Sequence, residues 1–107
     1  FMKLIIAIVN KDDSHAVSTA LTREGFSVTK MATTGGFLMA GNTTLLMGTD
    51  DSRVDEVISI IEKFSKKRTQ MVSSAAYGTS PEAAFPMELT VGGATIFVTD
   101  VERYEKV

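Results

Sequence analysis

The residues with the greatest capacity for ligand chemistry lie in the segment 32–44, which is rich in glycine and threonine. Its glycines let backbone N–H groups approach an acceptor closely, and its threonines add hydroxyl donors. Phe37 offers a ring that can stack on a base, and the amide of Asn42 matches the amino group and N7 of adenine. These residue types suit a nucleotide pocket. On pattern alone, an ordinary glycine turn between two strands with Phe37 in the core is favoured.

Residues suited to catalysis or metal binding are few. The single histidine, His15, is predicted to lie in the first turn of a helix, where a solvent-exposed position is expected. The 13 carboxylates are mostly spread over predicted helix faces and ends, and no cluster of His, Asp or Glu has metal-ligand spacing. We therefore expect neither an enzyme nor a metal site.

The composition is that of a small soluble protein. The chain has 107 residues, 44% of them apolar, and no apolar run reaches the ~20 residues of a membrane span. One domain is expected over residues 2–107, with Phe1 as a remnant of an expression tag. The lack of cysteine favours the cytoplasm. A net charge of -2 disfavours a nucleic-acid polymer as partner and is compatible with a small anionic ligand.

The periodicity of apolar residues predicts the elements that position these groups. Strands are expected at residues 3–9, 26–32, 43–49 and 87–98, the last with a turn or bulge at Gly92 and Gly93. Helices are expected at 12–25 and 50–64, with candidate N-caps at Asp12, Asp13, Ser14, Asp50, Asp51 and Ser52. Residues 69–86 are predicted to form a long loop. The resulting order, β-α-β-β-α-β, is the ferredoxin-like α+β arrangement.

The first and third predicted strands are too apolar for a sheet with one wet face. In a ferredoxin-like domain the helices cover one face of the sheet, so the other face must meet something apolar or be polar. We therefore expect an oligomer in which the sheets pack against each other. A cyclic homotrimer is the closed form expected for this fold.

Several segments resemble the PII-like cyclic di-AMP receptor family, and the resemblance covers nearly the whole chain. The most specific are Thr-Thr-Gly-Gly-Phe-Leu at 33–38 and Gly-Asn-Thr-Thr at 41–44, with further similarity at 51–56 and 91–98. The resemblance implies a ferredoxin-like homotrimer with one cyclic di-AMP in each cleft between subunits and no other cofactor. It also implies these ligand-binding residues: Thr29, Gly36, Phe37, Leu38, Asn42, Gly48, Gly92 and Gly93.

The chain departs from the family pattern in three places. Ser27 stands where the family often carries Arg or Lys, and Lys3 or Lys30 is a candidate to compensate for the lost cation. Residues 69–86 are shorter than the family's loop, and the tail 103–107 differs. A trimer that senses ATP or another adenine nucleotide is the alternative hypothesis, and a small trimeric enzyme is disfavoured. A downstream protein partner is expected, with its identity open.

Overall fold

The computed structural model describes residues 1–31, 41–73 and 86–107. Within these ranges, no helix is long and apolar enough to cross a membrane. A short 3-10 turn, Asp51–Arg53, precedes the second helix. The helices and strands of the described ranges are β1 (Met2–Asn10), α1 (Lys11–Arg23), β2 (Thr29–Met31), β3 (Asn42–Asp50), α2 (Val54–Phe64), β4 (Arg68–Ser73), β5 (Pro86–Val91) and β6 (Ala94–Asp100).

Four of the strands form one antiparallel sheet in the order β2-β3-β1-β6. Both helices pack against it and against each other. β1 lies between β3 and β6, as its nearly continuous apolar sequence predicts for a central strand. This order and the two helices confirm the predicted ferredoxin-like fold.

The hydrophobic core lies between the helices and one face of this sheet. Successive strand residues point to opposite faces, and Ile5, Ala7 and Val9 of β1 are the ones buried against the helices. Burying each large side chain stabilises the fold by about 1.5–3 kcal/mol. The core residues contributed by the other elements are Val17, Leu21, Phe26, Leu45, Met47, Val57 and Ile61. The opposite side of the sheet, which carries the even-numbered residues of β1 and β3, is called here the open face.

The second strand is shorter than the sequence predicts. Among residues 26–31, the described part of the predicted strand, only Thr29–Met31 pairs with β3. Phe26 is instead a core residue, and its N–H donates to the carbonyl of Leu21 at 3.1 Å, which closes the end of α1. Because Phe26 closes the end of α1, the chain pairs with β3 only from Thr29 onwards. Ala32, the last residue of the predicted strand, lies outside the described residues.

The prediction of a continuous loop over residues 69–86 is wrong at both ends. Arg68–Ser73 pairs with Pro86–Val91 in a separate two-stranded antiparallel sheet. The turn or bulge predicted at Gly92 and Gly93 is present as a turn, but it connects two sheets and does not lie within a single sheet segment. The pairing was not visible in the sequence because it joins two distant segments with weak alternation. Residues 74–85 of the predicted loop lie outside the described residues.

The N-caps of the helices are partly as predicted. Asp50 caps the 3-10 turn, since its carboxylate accepts from the N–H of Ser52 at 3.0 Å. Hydrogen bonds from the hydroxyl and the N–H of Ser52 hold the pKa of Asp50 well below its usual range. For α1 the prediction is wrong. The cap is Asn10, the last residue of β1, whose side-chain oxygen accepts from the N–H of Asp12 at 2.8 Å.

Asp13 has a tertiary role in place of the predicted capping role. Its carboxylate pairs with both terminal nitrogens of Arg68, at 3.0 Å from Oδ1 and 3.1 Å from Oδ2. The Asp13 side chain is 10% exposed and that of Arg68 is 44% exposed, so the pair is only partly screened by water. This ion pair joins the first turn of α1 to the start of β4.

Replacing Asp13 by Asn is expected to lower the free energy of unfolding by about 1–3 kcal/mol, because a charge-assisted, two-point contact is lost. Urea denaturation followed by circular dichroism measures the change. Asp12→Asn is the matched control, since Asp12 lies in the same turn and is exposed. Equal losses in the two variants would contradict a specific role for the pair with Arg68.

Candidate functional site

A cavity of about 440 Å³ lies beside the end of β3 and is called here the β2–β3 cavity. The space exists because β2 pairs with β3 only as far as Thr29 and Leu46, whereas β3 continues to Asp50. Two of the predicted ligand residues, Thr29 and Gly48, line it together. The other lining residues are mostly apolar or small: Met2, Leu4, Gly25, Phe26, Ser27, Leu46, Met47, Thr49, Arg53 and Tyr104.

Thr29 and Gly48 present polar groups to this cavity. Thr29 is exposed at the first position of β2, where its hydroxyl can donate or accept. Gly48 is exposed on the open face opposite Leu4. A Cβ built on Gly48 would lie 3.5 Å from the sulfur of Met2, an ordinary contact, so packing does not demand glycine there. The missing side chain instead leaves the backbone of β3 accessible to a bound molecule.

A second cavity, of about 230 Å³, is called here the glycine-turn cavity because Gly92 and Gly93 line it. Asn42 lies in its wall, exposed at the first position of β3. The backbone before Asn42 is held by a 2.6 Å hydrogen bond from the N–H of Lys11 to the carbonyl of Gly41. The remaining lining residues are Ile8, Asn10, Lys67, Ala94 and Thr95.

The predicted ligand residues are brought together in two groups. Thr29 and Gly48 share the β2–β3 cavity, and Asn42 shares the other cavity with the glycine turn. Gly48 lies six positions after Asn42 on an extended strand, which is roughly 20 Å at 3.3–3.4 Å per residue. A single subunit therefore does not gather them around one point. The predicted residues Gly36, Phe37 and Leu38 lie outside the described residues.

Gly92 and Gly93 form the turn between β5 and β6, in addition to lining the glycine-turn cavity. Their φ angles are +85° and +76°, in the region that favours glycine. A Cβ on Gly92 would lie 2.5 Å from the carbonyl oxygen of Lys66, and the N–H of Gly93 donates to the carbonyl of Ser65. The turn between the two sheets thus requires both a left-handed backbone and the absence of a side chain.

Two lining residues of the β2–β3 cavity were missed. Arg53 ends the 3-10 turn before α2. The sequence did contain a signal for it, because a cation near a helix N-terminus is disfavoured by the helix dipole. Tyr104 belongs to the tail, which a hydrogen bond from the N–H of Val101 to the carbonyl of Met2 holds against the start of β1. No sequence signal predicted that the tail would lie against the start of β1. Tyr104 is 61% exposed, and its ring can stack on a base.

The lysines proposed to compensate for Ser27 are not among the lining residues of the cavity that Ser27 lines. Lys3 forms an ion pair with Asp100, and this hydrogen bond raises the pKa of Lys3. Lys30 is paired with Leu45, a residue of the helix-covered face. Compensation by either lysine therefore stays a prediction.

No group of three or more His, Asp or Glu within residues 1–31, 41–73 and 86–107 could hold a metal ion. His15 is exposed, as predicted, but it lies in the second turn of α1 because the helix begins at Lys11. The two cavities instead offer hydroxyl, amide, guanidinium and bare backbone groups, which are groups that bind a polar ligand.

Comparison with solved structures defines the class of fold. The crystal structure of Arabidopsis thaliana PII bound to citrate matches with a TM-score of 0.55 at 19% identity, over 94% of this chain and 74% of that one. A functionally unknown protein from Pediococcus pentosaceus ATCC 25745 matches with a TM-score of 0.76 at 37% identity, over 99% of this chain and 97% of that one. The fold is thus that of PII proteins.

The sequence also matches a family described as the cyclic-di-AMP receptor, over residues 2–107. The chain therefore belongs to the cyclic-di-AMP receptor family. This assignment confirms the family predicted from residues 33–38 and 41–44, and cyclic di-AMP is the ligand that membership supports.

Proposed function

We propose that this receptor binds one cyclic di-AMP in each cleft between neighbouring subunits of a homotrimer, in the cytoplasm, and acts by binding and not by catalysis. The observation that carries the proposal is the placement of Thr29, Asn42 and Gly48. Their register in β2 and β3 places all three on the open face of the sheet, which the helices do not cover. Ligand residues on that face can be completed by a neighbouring subunit.

The apolar side chains of the open face support an assembly. One register row crosses all four strands and contains Thr29, Leu46, Ile6 and Phe97. Phe97 is 49% exposed, and Ile6 and Leu46 are only half-buried in the isolated chain. A row with large apolar side chains on three of its four strands is typical of a surface that another protein surface covers.

The separation of the two cavities is also compatible with a cyclic assembly. In a ring, each subunit uses two different surfaces, and one surface of a subunit meets the other surface of its neighbour. The β2–β3 cavity and the glycine-turn cavity lie towards opposite ends of β3. We propose that each ligand is enclosed by parts of two subunits.

Phe97→Glu is expected to convert the trimer into monomers, because a carboxylate in an apolar interface loses its hydration without a partner. Size-exclusion chromatography with light scattering measures the mass. The matched control is Phe64→Glu at the end of α2, where Phe64 is 38% exposed and away from the open face. A monomeric unmodified protein, or a Phe97→Glu variant that stays trimeric, would contradict the proposed assembly.

The proposed output is a change in the surface that a downstream protein contacts. Ligand binding is expected to reorder residues 33–42 and 69–86, parts of which lie outside the described residues. Such switching requires that cyclic di-AMP bind one arrangement of these segments more tightly than another.

A thermal-shift panel of cyclic di-AMP, ATP and cyclic di-GMP tests the proposed function. Binding to the folded state raises the melting temperature in proportion to the logarithm of ligand concentration over Kd. We expect the largest rise with cyclic di-AMP. A larger rise with ATP would favour the adenine-nucleotide sensor, and no rise with any of the three would contradict the proposal.

A further inference from the structure

Arg53 is held rigidly at the wall of the β2–β3 cavity. Its guanidinium lies 4.0 Å from the centroid of the Phe26 ring, and Phe26 is a core residue. The Nε donates to Glu56 at 3.0 Å, and Nη2 donates to Glu56 at 3.2 Å and to the carbonyl of Glu24 at 2.9 Å. Stacking and three hydrogen bonds therefore fix the plane of the guanidinium before any ligand arrives.

These contacts leave donor capacity on one edge of Arg53. A guanidinium has five N–H groups, and the three hydrogen bonds engage Nε and Nη2. Within the described ranges, none of the hydrogen bonds of Arg53 engages Nη1. Hydrogen bonding to Glu56 raises the pKa of Arg53. A guanidinium is charged at any working pH in any case.

Arg53 is also the charged residue of this cavity. The described lining residues otherwise carry only apolar, hydroxyl or backbone groups. Ser27 lines the same cavity with a short, uncharged side chain. A cyclic dinucleotide carries two phosphodiester groups, each a permanent monoanion, and an arginine N–H is a strong donor to such an oxygen.

We propose that Arg53 donates from Nη1 to a phosphate oxygen of the bound cyclic dinucleotide. Thr29 and the backbone at Gly48 lie in the same cavity and supply neutral contacts beside it. This assignment rests on the proposed function, and it names the residue that recognises the charge of the ligand.

The test is calorimetric titration of Arg53→Gln with cyclic di-AMP at several salt concentrations. The Kd is expected to rise roughly ten- to a hundredfold, the effect of losing one hydrogen bond between charged groups. The dependence of Kd on salt should also become weaker, because one ionic contact is missing. Lys63→Gln is the matched control, since Lys63 also lies over an aromatic ring, that of Phe64, but outside this cavity.

A rescue experiment separates ligand contact from structural support. Ser27→Arg places a second guanidinium at the same cavity, so the double variant Ser27→Arg/Arg53→Gln is expected to regain affinity and salt dependence. Should Arg53→Gln fail to fold, Arg53→Lys keeps the cation and is expected to show intermediate affinity with unchanged salt dependence.

Three results would overturn the assignment. One is an Arg53→Gln variant that binds as the unmodified protein does. Another is a loss of affinity without a change in salt dependence and without rescue by Ser27→Arg. The third is absence of cyclic di-AMP binding by the unmodified protein, which would overturn the proposed function as well and is thereby distinguished from the first two.

Discussion

Asn42→Ala is expected to raise the Kd for cyclic di-AMP by up to about a hundredfold while leaving the protein folded. The amide of Asn42 can accept from the amino group of adenine and donate to N7, and such a bidentate contact is worth roughly 1–3 kcal/mol, at about 1.4 kcal/mol per tenfold change in Kd. Asn42 is exposed in the wall of the glycine-turn cavity, so truncating it removes little packing. Calorimetric titration of Asn42→Ala and of the unmodified protein with cyclic di-AMP measures the change in Kd.

Asn10→Ala is the matched control, because Asn10 is the same residue type in the same cavity. Its side chain is engaged as the N-cap of α1, so its loss should lower the unfolding free energy by about 0.5–2 kcal/mol and change affinity less than Asn42→Ala. Cyclic di-GMP should bind weakly to the unmodified protein, since guanine offers an acceptor where adenine offers its amino donor. Normal cyclic di-AMP binding by Asn42→Ala would contradict the proposed adenine contact.

Gly92→Ala is expected to lower the free energy of unfolding by more than about 2 kcal/mol, because two penalties combine. An alanine at φ +85° enters the left-handed region, and its Cβ would lie 2.5 Å from the carbonyl oxygen of Lys66. The backbone of both residues would have to move. Urea denaturation measures the loss.

Gly25→Ala separates these two penalties. Gly25 has a φ of +90°, but a Cβ there would meet nothing within 4 Å. Gly25→Ala should therefore lower the free energy of unfolding only by the cost of the left-handed backbone, about 1–2 kcal/mol. If both alanine variants lost the same stability, the close approach of Gly92 to Lys66 would have no energetic role.

The parts of the fold that depend on local sequence patterns were predictable. β1 and β3 were predicted to within one residue at each end, and the end of α2 at Phe64 was predicted correctly, because apolar alternation and helical spacing are properties of a short window. The start of α2 was predicted four residues too early, since Asp51–Arg53 forms a 3-10 turn. β4 was missed because its stability comes from pairing with β5, a segment distant in sequence. The N-cap of α1 was misplaced because Asn10 also completes β1, a dual role that the residue type alone does not show.

The candidate site residues that belong to family motifs were predictable from the sequence. Thr29, Asn42 and Gly48 were named from the resemblance, and the register then placed them on one face of the sheet. Arg53 and Tyr104 were not named, because their positions depend on how the start of α2 and the tail pack beside β3. Such contacts arise from tertiary structure, and no local pattern encodes them.

The central claim is that a trimer of this receptor holds cyclic di-AMP between its subunits. A crystal structure of the complex with cyclic di-AMP tests it most directly. The prediction is one ligand per subunit on the open face, with Thr29, Asn42 and Gly48 in contact and a neighbouring subunit enclosing it. A ligand bound within an isolated subunit, or on the helix-covered side of the sheet, would contradict the claim.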